Sequence, residues 1–225
     1  MMKILNLLVV LILGSVLFAH AQASIDSAFL TPNYKQRREI FNKTPTVGGE
    51  VVFIGNSITE VGNWQKLIPD ERVLNRGISG DVTLGVLARV AEEVANKPKK
   101  VFVMIGINDL KIGVPIAQIT ARQREIIQLI RTKAPNTLLY MQATLPVNEK
   151  MLAKIYSRLN NKDILKMNKA LKALCRELHV GYINLQPIFV DQDGQLKAEW
   201  STDGLHLKPQ AYEAWVKYLR KKGLI

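Results

Sequence analysis

Val51-Val52-Phe53-Ile54-Gly55-Asn56-Ser57-Ile58-Thr59 begins as a run of apolar, mostly β-branched residues and breaks abruptly into small and polar ones. A short, continuous apolar run bounded by glycine reads as a strand buried on both faces, as strands of a parallel sheet are. Four further runs repeat the signal: Arg72-Val73-Leu74, Val101-Phe102-Val103-Met104-Ile105, Thr137-Leu138-Leu139-Tyr140-Met141 and Tyr182-Ile183-Asn184-Leu185. Between them apolar residues recur at helical spacing: Val82, Val86, Leu87, Val90 and Val94, then Ile116, Ile119, Ile126, Ile127 and Ile130, then Ile164, Met167, Leu171, Leu174 and Leu178. Pro115 opens the second of these helices, Ala134-Pro135 closes it, and a last helix is expected from about Pro209 to Lys222. Strands alternating with helices predict a three-layer α/β fold: a mainly parallel five-stranded sheet with right-handed crossovers and helices on both faces. No repeat, low-complexity tract or interdomain linker interrupts it.

The amino terminus follows a different pattern. Lys3 is followed by an almost wholly apolar stretch from Ile4 to Ala19, then by Ala19-His20-Ala21. A positive start, a short apolar run and small residues at this spacing predict a signal peptide over residues 1–21, with cleavage after Ala23 as the alternative to Ala21. The run is short for a membrane span, which needs about 20 apolar residues. Export to the periplasm or beyond is expected, without stable membrane insertion after cleavage. Residues 22–49 read as an N-terminal lead-in, loosely ordered around Ser24 to Thr31, and residues 50–225 as the folded domain.

Composition removes several chemistries. The chain has 31 Lys and Arg against 19 Asp and Glu, a formal charge of +12. The basic residues are scattered and no basic run is interleaved with aromatics, so a solvated surface is expected rather than a nucleic-acid partner. Cys175 is the only cysteine, on the apolar side of a helical pattern, and reads as a buried thiol. His20 leaves with the leader, and two remaining histidines with one cysteine cannot build a His/Cys zinc site. No Gly-x-Gly triplet or P-loop is present, and Thr59 stands where the second glycine of a Gly-x-Ser-x-Gly elbow would be. No metal or organic cofactor is expected.

Open parallel α/β sheets bind ligands beyond the carboxyl ends of their strands. Gly55-Asn56-Ser57 follows the first strand, Asn75-Arg76-Gly77-Ile78-Ser79-Gly80-Asp81 the second, and Gly106-Ile107-Asn108-Asp109 the third. Asp203-Gly204-Leu205-His206 lies after the fifth. All four clusters should meet on one edge. His179 precedes the fifth strand at the opposite edge, which leaves His206 as the available imidazole base. Asp203, three residues earlier, can orient its ring; alone, the pair is equally compatible with a helix-capping aspartate beside an incidental histidine. Ser57 is the best-placed hydroxyl for such a base to activate, ahead of Ser79 and Ser201, though serine also caps helices well. The Ser57 and Gly80 amides and the Asn108 side chain are candidate oxyanion donors.

These clusters resemble the conserved blocks of the SGNH hydrolases, the GDSL-like esterases. The four name letters fall in order on Ser57, Gly80, Asn108 and His206, and Asp203 completes an Asp-x-x-His block, over about residues 50–225. The resemblance implies a flavodoxin-like fold with a five-stranded parallel sheet. It also implies a catalytic triad of Ser57, Asp203 and His206, and an oxyanion hole of Ser57, Gly80 and Asn108. Asn56 and Ile58 depart from the family's Gly-Asp-Ser-Leu block, at positions outside the triad. The runs around Gly80 and Asn108 look most like the acetylhydrolase and sialate O-acetylesterase-like branch. That implies hydrolysis of acetyl or other short acyl esters, of carbohydrates above all. The alternatives are a lysophospholipase or thioesterase, whose apolar trough could use Trp64, Leu110, Pro146, Val147 and Met151, and a catalytically silent glycan-binding protein.

Overall fold

The computed structural model describes residues 29–225, so the signal peptide read over residues 1–21 and the start of the lead-in lie outside the described residues. The chain runs α1 (Pro32–Lys43), β1 (Val51–Gly55), α2 (Ser57–Val61), α3 (Trp64–Leu67), β2 (Val73–Gly77), α4 (Thr83–Glu93), β3 (Lys100–Met104), α5 (Ile107–Lys111) and α6 (Ile116–Lys133). It continues through β4 (Leu138–Gln142), α7 (Asn161–Glu177), β5 (Gly181–Ile183), α8 (Gln186–Phe189) and α9 (Pro209–Lys221). Every strand pairing is parallel, in the order β2-β1-β3-β4-β5. This is the flavodoxin-like doubly wound arrangement, in which the chain direction across the sheet reverses between β1 and β3 and opens a crevice there.

Alternation along the strands divides the core into two layers. Phe53, Phe102 and Tyr140 stand in register on β1, β3 and β4 and stack as a ladder, with ring centroids 4.9 and 5.1 Å apart. Trp64 stacks on Phe53 at 4.1 Å and meets Trp215 of α9 edge-on at 5.1 Å, so α3 and α9 cover that face. The opposite face presents Val52, Ile54, Val101, Val103 and Met141 to Val86, Val90, Ile126, Ile130, Leu171 and Leu174 of α4, α6 and α7. Cys175 is buried in this second layer.

Two sequence expectations are corrected. The second strand does not end at Leu74 but runs through Asn75, Arg76 and Gly77. Polar residues are tolerated because partners are built in. Asn75 Nδ2 donates to the carbonyls of Thr59, Glu60 and Gly62, and buried Arg76 pairs with Glu93 at 2.8 Å. Gly77 permits α2 to lie against this strand, since a methyl group there would collide with the backbone of Thr59 and Glu60. The second correction concerns the lead-in, where no element was expected and α1 is found. Thr31 caps it, accepting from the Tyr34 amide at 3.1 Å, and Tyr34 and Phe41 are buried. Arg37 Nε and Nη2 donate to the carbonyls of Gly77 and Asn75, so α1 shields the otherwise open edge of β2.

Candidate active site

The polar clusters converge on the crevice at the carboxyl ends of β1 and β3. Asn56, not Ser57, caps α2: its Oδ1 accepts from the Ile58 amide at 3.1 Å. The capping duty that serine could have filled is thereby taken by asparagine. Ser57 Oγ is left facing His206 Nε2 at 3.0 Å. His206 Nδ1 lies 2.7 Å from Asp203 Oδ2. A carboxylate accepting from Nδ1–H leaves Nε2 as acceptor for the serine hydroxyl proton, the tautomer that base chemistry requires.

The loop that carries His206 is tied to itself. Asp203 Oδ1 accepts from the amides of Leu205 (3.0 Å) and His206 (2.8 Å). Ser201 Oγ donates to the His206 carbonyl and accepts from the Gly204 amide, both at 2.8 Å, and Ser201 bridges Leu207. Ser201 is therefore a buried structural residue. Partial burial works against ionisation of Asp203, but the His206 amide, the His206 ring and the Leu205 amide outweigh it and hold the carboxyl below its ordinary value. Tyr156, from the connection between β4 and α7, stands edge-on to the imidazole with centroids 6.4 Å apart and forms one wall. His179 ends α7 at the other edge of the sheet, away from Ser57.

The candidate oxyanion donors follow β2 and β3, the strands that flank β1, which Ser57 follows. Gly80 has φ +83°, a conformation that favours glycine, and is exposed at the mouth. One hydrogen of Asn108 Nδ2 is used on the Asp81 carbonyl at 2.9 Å, which orients the amide and leaves its second hydrogen for a ligand. Ser79, the other rival hydroxyl, has its amide on Glu60 at 2.5 Å and no imidazole partner.

Arg89 carries a function that the sequence reading missed. It is buried on α4, with Nη2 donating to Asp81 Oδ2 at 2.9 Å and to the Gly55 carbonyl at 3.2 Å. One side chain thus ties the end of β1, two residues before Ser57, to the residue after Gly80. An arginine among Val86, Leu87 and Val90 was the available signal. Nearby, Asp109 accepts from the Thr83 amide and hydroxyl and fixes α5 against α4. Burial pushes the Asp81 carboxyl up to about 6, with Arg89 holding it down. Arg89→Met should cost about 3–5 kcal/mol at pH 7, read by urea unfolding, because it strands Asp81 without its cation. The sign with pH follows. Without Arg89 the folded-state Asp81 pKa rises further above about 6, so the pH-dependent part of the penalty is absent below about 6, where Asp81 is protonated in both folded proteins. It grows as pH rises toward 7.

Among the described residues, no group of three or more His, Cys, Asp or Glu side chains could hold a metal ion, and no helix is long and apolar enough to cross a membrane.

With this geometry in place, the likeness to known proteins is informative. The profile of the GDSL-like Lipase/Acylhydrolase family matches residues 53–214. The platelet-activating factor acetylhydrolase IB subunit alpha2 of Rattus norvegicus is 30% identical over 179 residues, 76% of this chain and 75% of that protein. A solved structure from Streptococcus pneumonia, provisionally named a platelet activating factor, superposes with a TM-score of 0.79 at 30% identity, covering 91% of this chain and 98% of that one. An acetylxylan esterase from Geobacillus stearothermophilus, solved as a catalytic mutant, superposes with a TM-score of 0.63 at 20% identity, covering 79% and 95%; at that identity the likeness is one of fold.

Proposed function

Because this chain belongs to the GDSL-like lipase/acylhydrolase family and is a serine ester hydrolase, we propose that Ser57, His206 and Asp203 form its catalytic triad and that it removes acetyl or other short acyl groups from carbohydrate esters. The observation that carries the triad is the continuous relay from Ser57 Oγ to His206 Nε2 at 3.0 Å and from Nδ1 to Asp203 at 2.7 Å. Ser57 Oγ attacks the ester carbonyl while His206 takes its proton, and Asp203 stabilises the imidazolium that forms. The Ser57 and Gly80 amides and Asn108 Nδ2 receive the developing oxyanion. His206 then protonates the departing alcohol, and the acyl group stays on Ser57. Water, deprotonated by the same imidazole, releases the acid and restores the hydroxyl.

Packing supports a short acyl group. Ile58, Ile107 and Leu205, each beside a site residue in sequence, are buried and offer no exposed apolar surface to a long acyl chain. Of the residues that could have lined an apolar trough, Trp64, Pro146 and Val147 are buried, leaving only Leu110 and Met151 partly exposed. The acetyl-removing relatives and the leader-like residues 1–21 agree with an acetylated glycan outside the cytoplasm.

One observation favours the lipid alternative. A groove of about 290 Å³, lined by Val61, Leu67, Leu207, Pro209 and Tyr212 with Asn63, Lys66 and Glu213, lies where α2 ends and where the His206 loop passes into α9. A series of 4-nitrophenyl esters separates the two. On the short-acyl reading, kcat/KM should fall at least about tenfold from acetate to octanoate, each unaccommodated methylene costing a sizeable part of the transition-state binding. A rise along the series would transfer the assignment to a lipid acylhydrolase. Release of acetate from acetylated xylo-oligosaccharides tests the carbohydrate half of the proposal, and no release would refute it.

A further inference from the structure

We propose that a groove on the outer face of α9 binds an acidic polysaccharide, at a place separate from the ester-cleaving crevice. The inward face of α9 buries Tyr212, Trp215, Val216 and Leu219. Its outward face carries Ala214, Lys217, Tyr218, Lys221 and then Lys222, the i, i+3, i+4, i+7, i+8 spacing of one helical stripe. Lys197 and Trp200 form the facing wall of a groove of about 510 Å³.

Four lysines therefore surround two aromatic rings, and among the described residues no acidic one lines the groove. Lys197 Nζ sits 4.3 Å from the Trp200 ring centroid and donates to the Ile188 carbonyl at 3.0 Å; Lys222 Nζ lies 5.6 Å from the Tyr218 ring. Among the described residues, the lysines that pair with carboxylates are Lys99 and Lys166, neither of them here. Arg220, on the same helix but off this stripe, is neutralised by Asp70 at 2.6 Å. Other described lysines also lack a carboxylate partner; what distinguishes these four is that they are gathered around two aromatic rings in one groove. Like charges gathered without counter-charges raise the local potential and favour a polyanion, with a dependence on salt. Aromatic faces between the cations offer flat, amphipathic platforms for sugar rings whose carboxylates reach the ammonium groups.

Continuity with the ester site favours a glycan. The Trp200 carbonyl accepts from the Lys208 amide at 2.9 Å, and Ser201, the next residue, begins the loop that holds Asp203 and His206. A chain bearing both carboxylates and acyl esters could be held on the groove while its esters pass the crevice. This choice of glycan rests on the carbohydrate-ester reading; the groove and its charge do not.

The test is titration of the full chain with polygalacturonate at low salt, using dextran as the neutral control. Binding should be seen with polygalacturonate alone, should collapse in 0.5 M NaCl, and should weaken about tenfold or more in K217Q/K221Q. Turnover of 4-nitrophenyl acetate should be unchanged in that variant, which shows that it remains folded and active. Absence of binding, unaltered binding by K217Q/K221Q, or equal binding of poly(dT) or anionic phosphatidylserine vesicles would overturn the proposal. Binding without release of acetate from acetylated oligosaccharides would instead refute the carbohydrate-ester reading and leave the groove assigned.

Discussion

Ser57→Ala is expected to lower kcat on 4-nitrophenyl acetate by roughly a millionfold, the scale on which removing a serine nucleophile acts when the remaining site is intact. The fold should not register the change. Ser57 Oγ meets His206 at 3.0 Å, and the cap of α2 is supplied by Asn56, so alanine removes neither a helix cap nor core packing. Thermal unfolding of the variant should therefore overlay that of the parent. Labelling by a fluorophosphonate probe gives an independent reading, because the probe needs the activated hydroxyl and not a particular substrate. Turnover or labelling that survives in Ser57→Ala would place the nucleophile elsewhere, and Ser79 would have to be reconsidered.

Asp203→Asn should cost about 10⁴-fold in kcat. The Asn Oδ1 can still accept from the amides of Leu205 and His206, so the turn persists and the variant should fold. Its amide nitrogen, however, faces His206 Nδ1 with a proton of its own. The imidazole is then driven to the tautomer with hydrogen on Nε2, which donates to Ser57 instead of accepting from it. In the parent, the hydrogen bonds to Asp203 hold its carboxyl below the ordinary range. Acidification from pH 7 therefore leaves this carboxylate ionised through the ordinary carboxylate range, and Asp203 should add no step of its own to the pH–rate profile above that range. A variant retaining a tenth or more of parental kcat would show that Asp203 is only a turn residue.

The parts of the fold that could be read from residue order are those decided by local pattern. Val51 to Ile54 and Val101 to Ile105 are continuous apolar runs because both of their faces are covered, and the stripe from Ile164 to Leu178 repeats at the helical period. The site residues could be named for a related reason: in an open parallel sheet the strand ends share one edge, so knowing which residues follow the strands is enough to collect them. α1 was missed because only Tyr34 and Phe41 of its residues are buried, too sparse a signal, and its anchor Arg37 reaches carbonyls some 40 positions away. The extension of β2 through Asn75 and Arg76 was missed because their partners, Thr59, Gly62 and Glu93, lie on other elements. The role of Arg89 depends on two acceptors from separate segments, Asp81 and the Gly55 carbonyl, which its place on an apolar helix does not disclose.

The lysine groove marks the boundary most clearly. Along the chain the basic residues are scattered and no basic run alternates with aromatics, yet Lys197 and Trp200 from a loop and three lysines with Tyr218 from α9 assemble that pattern in space. By itself, the order of residues determined the architecture and the identity of the groups that could do chemistry, because periodicity and strand polarity are properties of the backbone within each segment. Which hydroxyl meets the imidazole, which residue caps α2, how Arg89 joins two loops and where positive charge accumulates were decided only by tertiary structure. Each of those depends on distances between segments that no local pattern encodes.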